Sequence, residues 1–296
     1  MNIRSSLVAL ALTACGAPAL PAAAPPSLPS PPASIAASIP SAQDGFASVH
    51  GLRMHYVRQG KGPTLVLLEA GTGSVDLCWG AALPAFAQKF DVIAIDHMGN
   101  GKTNDDAKRP MGYDTLSEDV VDLLGQLGVT NAAFVGWSDG AIMALDIAMH
   151  HPSLVAKVVS TGGNYSTDGI DPQALEFVKA AKASEWPAEV RESYAKTSPD
   201  GAAHWPVVFE RIRKMWLSEP NWTTKDLATI KAPTLVIAGD HDMVRTSHTV
   251  ALAGAIPNAQ LAILPGAGHE VVIENPAQWN AVVLAFLTAP PAKSEK

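Results

Sequence analysis

Ala132-Ala133-Phe134-Val135-Gly136-Trp137-Ser138-Asp139-Gly140-Ala141-Ile142-Met143-Ala144-Leu145 is the stretch on which the reading of this chain turns. Ala132 to Val135 has the length and apolar character of a buried strand. Asp139 to His150 places Ala141, Leu145 and Ala148 on one helix face and ends before Pro152. Between the two, Gly136-Trp137-Ser138-Asp139-Gly140 must convert strand into helix within a few residues. So sharp a turn needs small flanking residues, holds Ser138 in a strained conformation and exposes its hydroxyl. The helix N-terminus adds a partial positive charge beside that oxygen. Ser138 is the candidate nucleophile.

Outward from this turn, short β-like runs alternate with helical patterns. Phe46 to His50 and Leu52 to Val57 predict an opening hairpin around Gly51. Thr64 to Leu68, Val92 to Ile95, Val155 to Ser160, Pro233 to Ala238 and Leu261 to Leu264 supply further strands. A helix is expected near Leu83 to Gln88. Another is expected from Ser117, with Leu116, Val120, Leu123, Leu124 and Leu127 at helical spacing and Gly128 as a C-cap glycine. This alternation predicts an α/β fold: a mostly parallel eight-stranded sheet flanked by helices. Its core would occupy 44–163 and 232–290, followed by a tail at 291–296.

From 164 to 231 the strand pattern gives way to helical pieces carrying Trp186, Trp205, Trp216 and Trp222, four of the seven tryptophans. This segment is expected to be an inserted helical cap over the carboxyl ends of the strands, where open α/β sheets bind ligands. Any one of those rings could equally serve only to pack the cap on the core.

A serine hydroxyl is a poor nucleophile until a base takes its proton, and the base works best when a carboxylate fixes its tautomer. Leu235 to Gly239 runs into Gly239-Asp240-His241-Asp242, and Leu261 to Leu264 into Pro265-Gly266-Ala267-Gly268-His269. Both loops then fall at the same end of the sheet as Ser138. His269 is the expected base and Asp242 its orienter, with Asp240 as the rival acid. Of the other histidines, His50 and His55 in the hairpin and His150 and His151 at a helix end are expected at the surface or in capping roles. Acyl transfer would also need N–H donors for a developing oxyanion. The Asp139 backbone is one candidate, and Gly71 in Leu68-Glu69-Ala70-Gly71-Thr72-Gly73-Ser74 is the other, ahead of Thr72.

The 296 residues are 47% hydrophobic and 17% charged, with a formal net charge of -7. No Lys/Arg-rich run exists to neutralise phosphates, so no nucleic-acid partner is expected. Arg4, the apolar run Leu7 to Leu12 and Leu12-Thr13-Ala14-Cys15 read as an export signal (1–15) ending in a lipobox. Cleavage before Cys15 and lipid attachment to its thiol would tether the protein on the periplasmic side or at the cell surface. A cut near Ala17-Pro18-Ala19 would instead release it soluble. Residues 16–43, rich in Pro, Ala and Ser, form a tether. Cys78 would be the single remaining cysteine, so no internal disulfide is expected.

With these motifs in order, nearly all of Phe46 to Leu287 resembles the α/β-hydrolase superfamily of the serine esterase type. Asp96-His97-Met98-Gly99-Asn100-Gly101-Lys102-Thr103 resembles that family's turn after the fourth strand. Val135 to Ala141 resembles the biphenyl-hydrolase-like branch. The resemblance implies hydrolysis of a small-molecule carboxylic ester by Ser138, Asp242 and His269, with no cofactor and no metal. Glu69-Ala70 departs from the His-Gly common there, and Asp139 departs from the apolar residue that often follows the nucleophile. The branch suggests that the Asp139 carboxylate pairs with a cationic group of an amino-acid ester; it could instead cap its own helix. Trp137 and Thr72 are the other expected substrate contacts.

Other chemistries remain as expectations to be weighed. The same triad would serve a lactonase, an amidase or a carbon-carbon bond hydrolase, and the same scaffold a non-catalytic ligand-binding lipoprotein. Gly101-Lys102-Thr103 after a strand imitates a phosphate loop, but a carboxylate at Asp96 would repel phosphate. A metal site from Asp240, His241, Asp242 and His248 would bunch its ligands too closely.

Overall fold

The computed structural model describes residues 41–290. The expected export signal with Cys15, most of the expected tether and the expected 291–296 tail lie outside the described residues. Eight strands form one sheet: β1 (Gln43–Val49), β2 (Leu52–Gly60), β3 (Thr64–Leu68), β4 (Asp91–Asp96), β5 (Ala132–Trp137), β6 (Val155–Thr161), β7 (Thr234–Gly239) and β8 (Ala259–Leu264). Their spatial order is β1-β2-β4-β3-β5-β6-β7-β8. β2 runs antiparallel to both β1 and β4, and every pairing from β4 to β8 is parallel. The carboxyl ends of β3, β5, β7 and β8 therefore share one edge. The expected tether gives way to β1 at Gln43, where pairing with Arg58 begins.

Period-two alternation divides the central strands between two cores. Val66, Leu68, Ile93, Ile95 and Phe134 pack beneath helices Tyr113–Gln126 and Asp139–His150. Leu65, Leu67, Val92, Ala94 and Val135 pack on the other face with Trp79, Phe86 and Trp279. Side chains on both faces are almost fully buried, as a parallel sheet covered by helices requires.

Several local expectations shift. The helix expected from Ser117 begins at Tyr113, because the distant Glu219 accepts the Tyr113 N–H at 3.0 Å and satisfies a first-turn donor. A helix at Val75–Trp79, N-capped by the Ser74 hydroxyl, was not anticipated, and the one near Leu83 spans only Leu83–Phe86. His55 is a correction. It is buried, with Nδ1 2.6 Å from Asp96 and Nε2 2.6 Å from Asp44.

Asp96 also accepts the backbone N–H groups of Val75 and Lys102, at 2.7 and 2.8 Å. A Cβ on Gly101 (φ 49°) would fall 2.2 Å from its carboxylate. The loop that imitates a phosphate cradle is thus folded around a side-chain anion of its own. Between β6 and β7 the chain forms helices Pro172–Ala180, Ala188–Thr197, Trp205–Ser218 and Thr224–Leu227.

Candidate active site

β5 ends in the turn predicted from sequence. Ser138 has φ 56° and ψ -117°, outside the comfortable range for a side chain-bearing residue. The turn explains its flanks: a Cβ on Gly136 would lie 2.0 Å from the Gly140 carbonyl, and one on Gly140 would lie 2.1 Å from the Leu68 carbonyl. Ser138 donates its own N–H to Thr161 at 2.8 Å, pinning the turn to β6. The N–H of Asp139, the first of the helix, has no carbonyl within the helix to bond.

The loops after β7 and β8 bring the other two groups to Ser138. His269 Nε2 lies 2.9 Å from Ser138 Oγ, and His269 Nδ1 lies 2.7 Å from Asp242 Oδ1. The Asp242 side chain is fully buried, and Oδ1 also accepts the Val244 N–H at 2.9 Å. Since a carboxylate only accepts, Nδ1 carries the proton and Nε2 is free to accept one from the serine. Burial is the largest influence on His269 and pulls its pKa down. The charge and hydrogen bond of Asp242, with smaller help from Glu270 and Asp139, outweigh it, and the net shift is upward. Asp240 is engaged elsewhere, 2.7 Å from His241 Nδ1 and accepting the Ala267 N–H.

Gly162 makes room for this array. It follows β6 with φ 63°, and a Cβ there would stand 3.0 Å from the His269 ring and 3.3 Å from Asp242 Oδ2. Nothing in the sequence marks it, since it is the fold that brings β6 beside β7 and with it the two partners.

After β3, Gly73 N–H donates to Ala70 at 3.0 Å and closes a turn in which the Gly71 N–H takes no part. Thr72, third in that turn, has φ 59°, where glycine is the usual occupant and a branched residue is strained by about 1–3 kcal/mol. Gly71 is packed against Asp139: a Cβ would fall 2.2 Å from Asp139 Oδ2 and 2.7 Å from the Trp216 ring. The two expected donor residues are therefore neighbours across the nucleophile turn.

The three expected substrate contacts are placed differently. Trp137 is 7% exposed and shares the core face of Ala133 and Val135, because β5 extends through it. Its indole donates to the His269 carbonyl at 2.8 Å, so it backs the imidazole loop and does not line an open pocket. Asp139 is 3% exposed, stands in the first turn of its helix and does not present a bare carboxylate. The Tyr113 hydroxyl donates to Oδ1 and the Trp216 indole to both oxygens, all at 2.9 Å. Burial raises its pKa to about 6 against the pull of Trp216, Tyr113 and His269. The Thr72 hydroxyl faces Trp186, which donates to it at 3.2 Å.

Tyr113 was missed because 26 residues separate it from Asp139. Of the four tryptophans between β6 and β7, Trp186 and Trp216 reach the site, while Trp205 packs on Tyr194 and Phe209 and Trp222 on the core. Glu69, where His-Gly was absent, is fully buried. Burial and the nearby Asp96 push its pKa well above the ordinary range, while burial pulls His97 down to about 4. Glu69 accepts the His97 N–H at 3.2 Å, and Asn100 donates to His97 Nε2 at 2.9 Å, a buried polar network beside the Gly71 turn.

The sequence model of the Alpha/beta hydrolase family matches residues 65–282. The chain is 29% identical to RutD of Stutzerimonas stutzeri, a protein named for carbamate hydrolysis, over 79% of this chain and 96% of RutD. It is 27% identical to the human serine hydrolase BPHL, over 87% of this chain and 89% of BPHL. Among solved structures, a hydrolase from Pseudomonas aeruginosa superposes with a TM-score of 0.67 at 26% identity, covering 83% of this chain and 98% of that one.

Proposed function

Because the chain belongs to the alpha/beta hydrolase family, and so is a hydrolase, we propose that it cleaves carboxylic esters through an acyl-enzyme, with Ser138 as nucleophile, His269 as base and Asp242 as orienter. One observation carries the reading: an unbroken hydrogen-bonded run from Ser138 Oγ through His269 to Asp242, at 2.9 and 2.7 Å, starting from a serine held at φ 56°. His269 Nε2 takes the hydroxyl proton as Oγ attacks the acyl carbon. Asp242 stabilises the imidazolium, and the Gly71 and Asp139 N–H groups receive the oxyanion. The imidazolium then protonates the leaving alkoxide. Water, deprotonated in turn by His269, releases the acid and restores Ser138.

A carbamate offers the same carbonyl to the same nucleophile, and the likeness to RutD favours testing it as a second acyl class. The deciding experiment is titration with a fluorophosphonate followed by peptide mass analysis. One adduct per chain, on the peptide containing Ser138, is expected. An unlabelled Ser138 would identify a scaffold that binds without an activated hydroxyl. Parallel assays of short-chain aryl esters and aryl carbamates rank the two acyl classes.

The base must be neutral to act, so kcat/KM falls as pH drops through the raised pKa of His269. Glu270 complicates that window, since burial and the charge of Glu274 push its carboxyl up to about 7 against the pull of His269. Its negative charge helps raise the His269 pKa. Glu270→Gln is therefore expected to move the acidic midpoint of the kcat/KM profile to lower pH. A midpoint that stays put or rises would show that Glu270 does not act on the base.

A further inference from the structure

The segment between β6 and β7 holds the two tryptophans that reach the site in one aromatic unit. Trp186 stands in the turn between helices Pro172–Ala180 and Ala188–Thr197, its carbonyl held by Arg191 Nε at 2.7 Å. Trp216 lies on helix Trp205–Ser218. Their rings are 5.6 Å apart, and Trp186 also packs on Phe209 at 5.0 Å. From this unit the Trp186 N–H reaches Thr72 Oγ1, and the Trp216 N–H reaches both oxygens of Asp139. The residues gripped are the neighbour of one oxyanion donor and the bearer of the other. Thr72 occupies a positive-φ position that glycine would fill without strain. The hydroxyl that glycine lacks is the acceptor for Trp186.

We infer that Trp186 and Trp216 are positioning residues for the oxyanion hole, setting the Gly71-Thr72 turn against the Asp139 N–H through one hydrogen-bonded grip on each side. The inference rests on the acyl-transfer reading of Ser138. Its physical basis is that donors aimed at a developing oxyanion lose effect steeply with small displacements. Gly71, wedged between Asp139 and the Trp216 ring, transmits any shift of one wall to the other.

Trp186→Phe and Trp216→Phe each keep a ring and remove only the donor. Each is expected to lower kcat on a short aryl ester by about 10- to 100-fold, short of the 10²- to 10³-fold cost of losing a donor outright, with KM within about threefold. Affinity for an alkyl boronic acid, whose tetrahedral adduct on Ser138 places an oxygen in the hole, falls in proportion. Affinity for the carboxylic acid product does not. Thr72→Val is expected to match Trp186→Phe, and the double variant to be no worse than either single one. Thr72→Ser, which keeps the acceptor, stays near wild type. The inference is overturned if either tryptophan variant keeps kcat and boronate affinity within about twofold. It is also overturned if the Thr72→Val and Trp186→Phe losses multiply in the double variant. Failure of fluorophosphonate to label Ser138 in the unaltered protein would sink the acyl-transfer reading itself. Normal labelling with undiminished boronate affinity in the tryptophan variants would sink the grip alone.

Discussion

Ser138→Ala is expected to reduce kcat on a short aryl ester by on the order of 10⁴- to 10⁶-fold while leaving the circular dichroism spectrum and cooperative unfolding intact. The size follows from the chemistry. Without Oγ there is no atom 2.9 Å from His269 Nε2 to attack and no acyl-enzyme, so residual turnover comes only from water within whatever oxyanion stabilisation remains. Retained folding follows from the packing. Ser138 is only partly buried, and the tight contacts of the turn belong to Gly136 and Gly140, whose surroundings do not change. Alanine keeps the positive φ, and the lost hydroxyl bond is worth about 0.5–1.5 kcal/mol. Steady-state kinetics beside a thermal melt checks both halves. Activity within tenfold of wild type would remove Ser138 from the mechanism.

Asp242→Asn should lower kcat by about 10⁴-fold at neutral pH. The carboxylate only accepts, and so fixes the proton on His269 Nδ1. An asparagine amide can donate to Nδ1 instead, leaving the proton on Nε2, where it faces Ser138 and blocks deprotonation. The pH profile supplies a second sign. Asp242 is the main influence raising the His269 pKa, and burial opposes it. Neutralising Asp242 leaves burial in command, so the residual activity should survive to lower pH than in the wild type. Asp240→Asn is the comparison, because Asp240 bonds His241 and the Ala267 N–H and lies off the imidazole. A large loss with Asp240→Asn and a small one with Asp242→Asn would reverse the assignment.

The contrast between these two acids shows what could be read in advance. Both follow β7 and only His241 lies between them, so sequence places either at the correct edge of the sheet. Selecting Asp242 depends on which carboxylate the loop turns inward, and here the Val244 N–H and the Nδ1 of His269 fix that orientation. Strand positions were legible because apolar runs flanked by glycine and proline report burial directly, and β3 spans the expected Thr64 to Leu68. The start of helix Tyr113–Gln126 was not, because its first turn is completed by Glu219, 106 residues away.

Trp137 and Asp139 carry the same lesson inside the motif. Sequence marks them as flanking the nucleophile, which makes both natural candidates for touching a substrate. In the fold, β5 runs two residues further than the expected Ala132 to Val135 and turns Trp137 into the core. Helix Trp205–Ser218 brings Trp216 onto Asp139, so its carboxyl is shared between two donors and buried.

By itself the sequence determined the α/β class, the strand-to-helix turn that raises Ser138, and the chain order of serine, acid and histidine. These are local matters: periodicity, turn geometry and chain order are properties of neighbouring residues. Only the tertiary structure decided which acid meets His269, which tryptophans reach the nucleophile, and that Glu69, His55 and Asp139 are buried polar groups with internal partners. Those outcomes depend on residues tens of positions apart being brought within hydrogen-bond range, and the burial that raises the Glu69 and Asp139 pKa values exists only once the chain has closed around them.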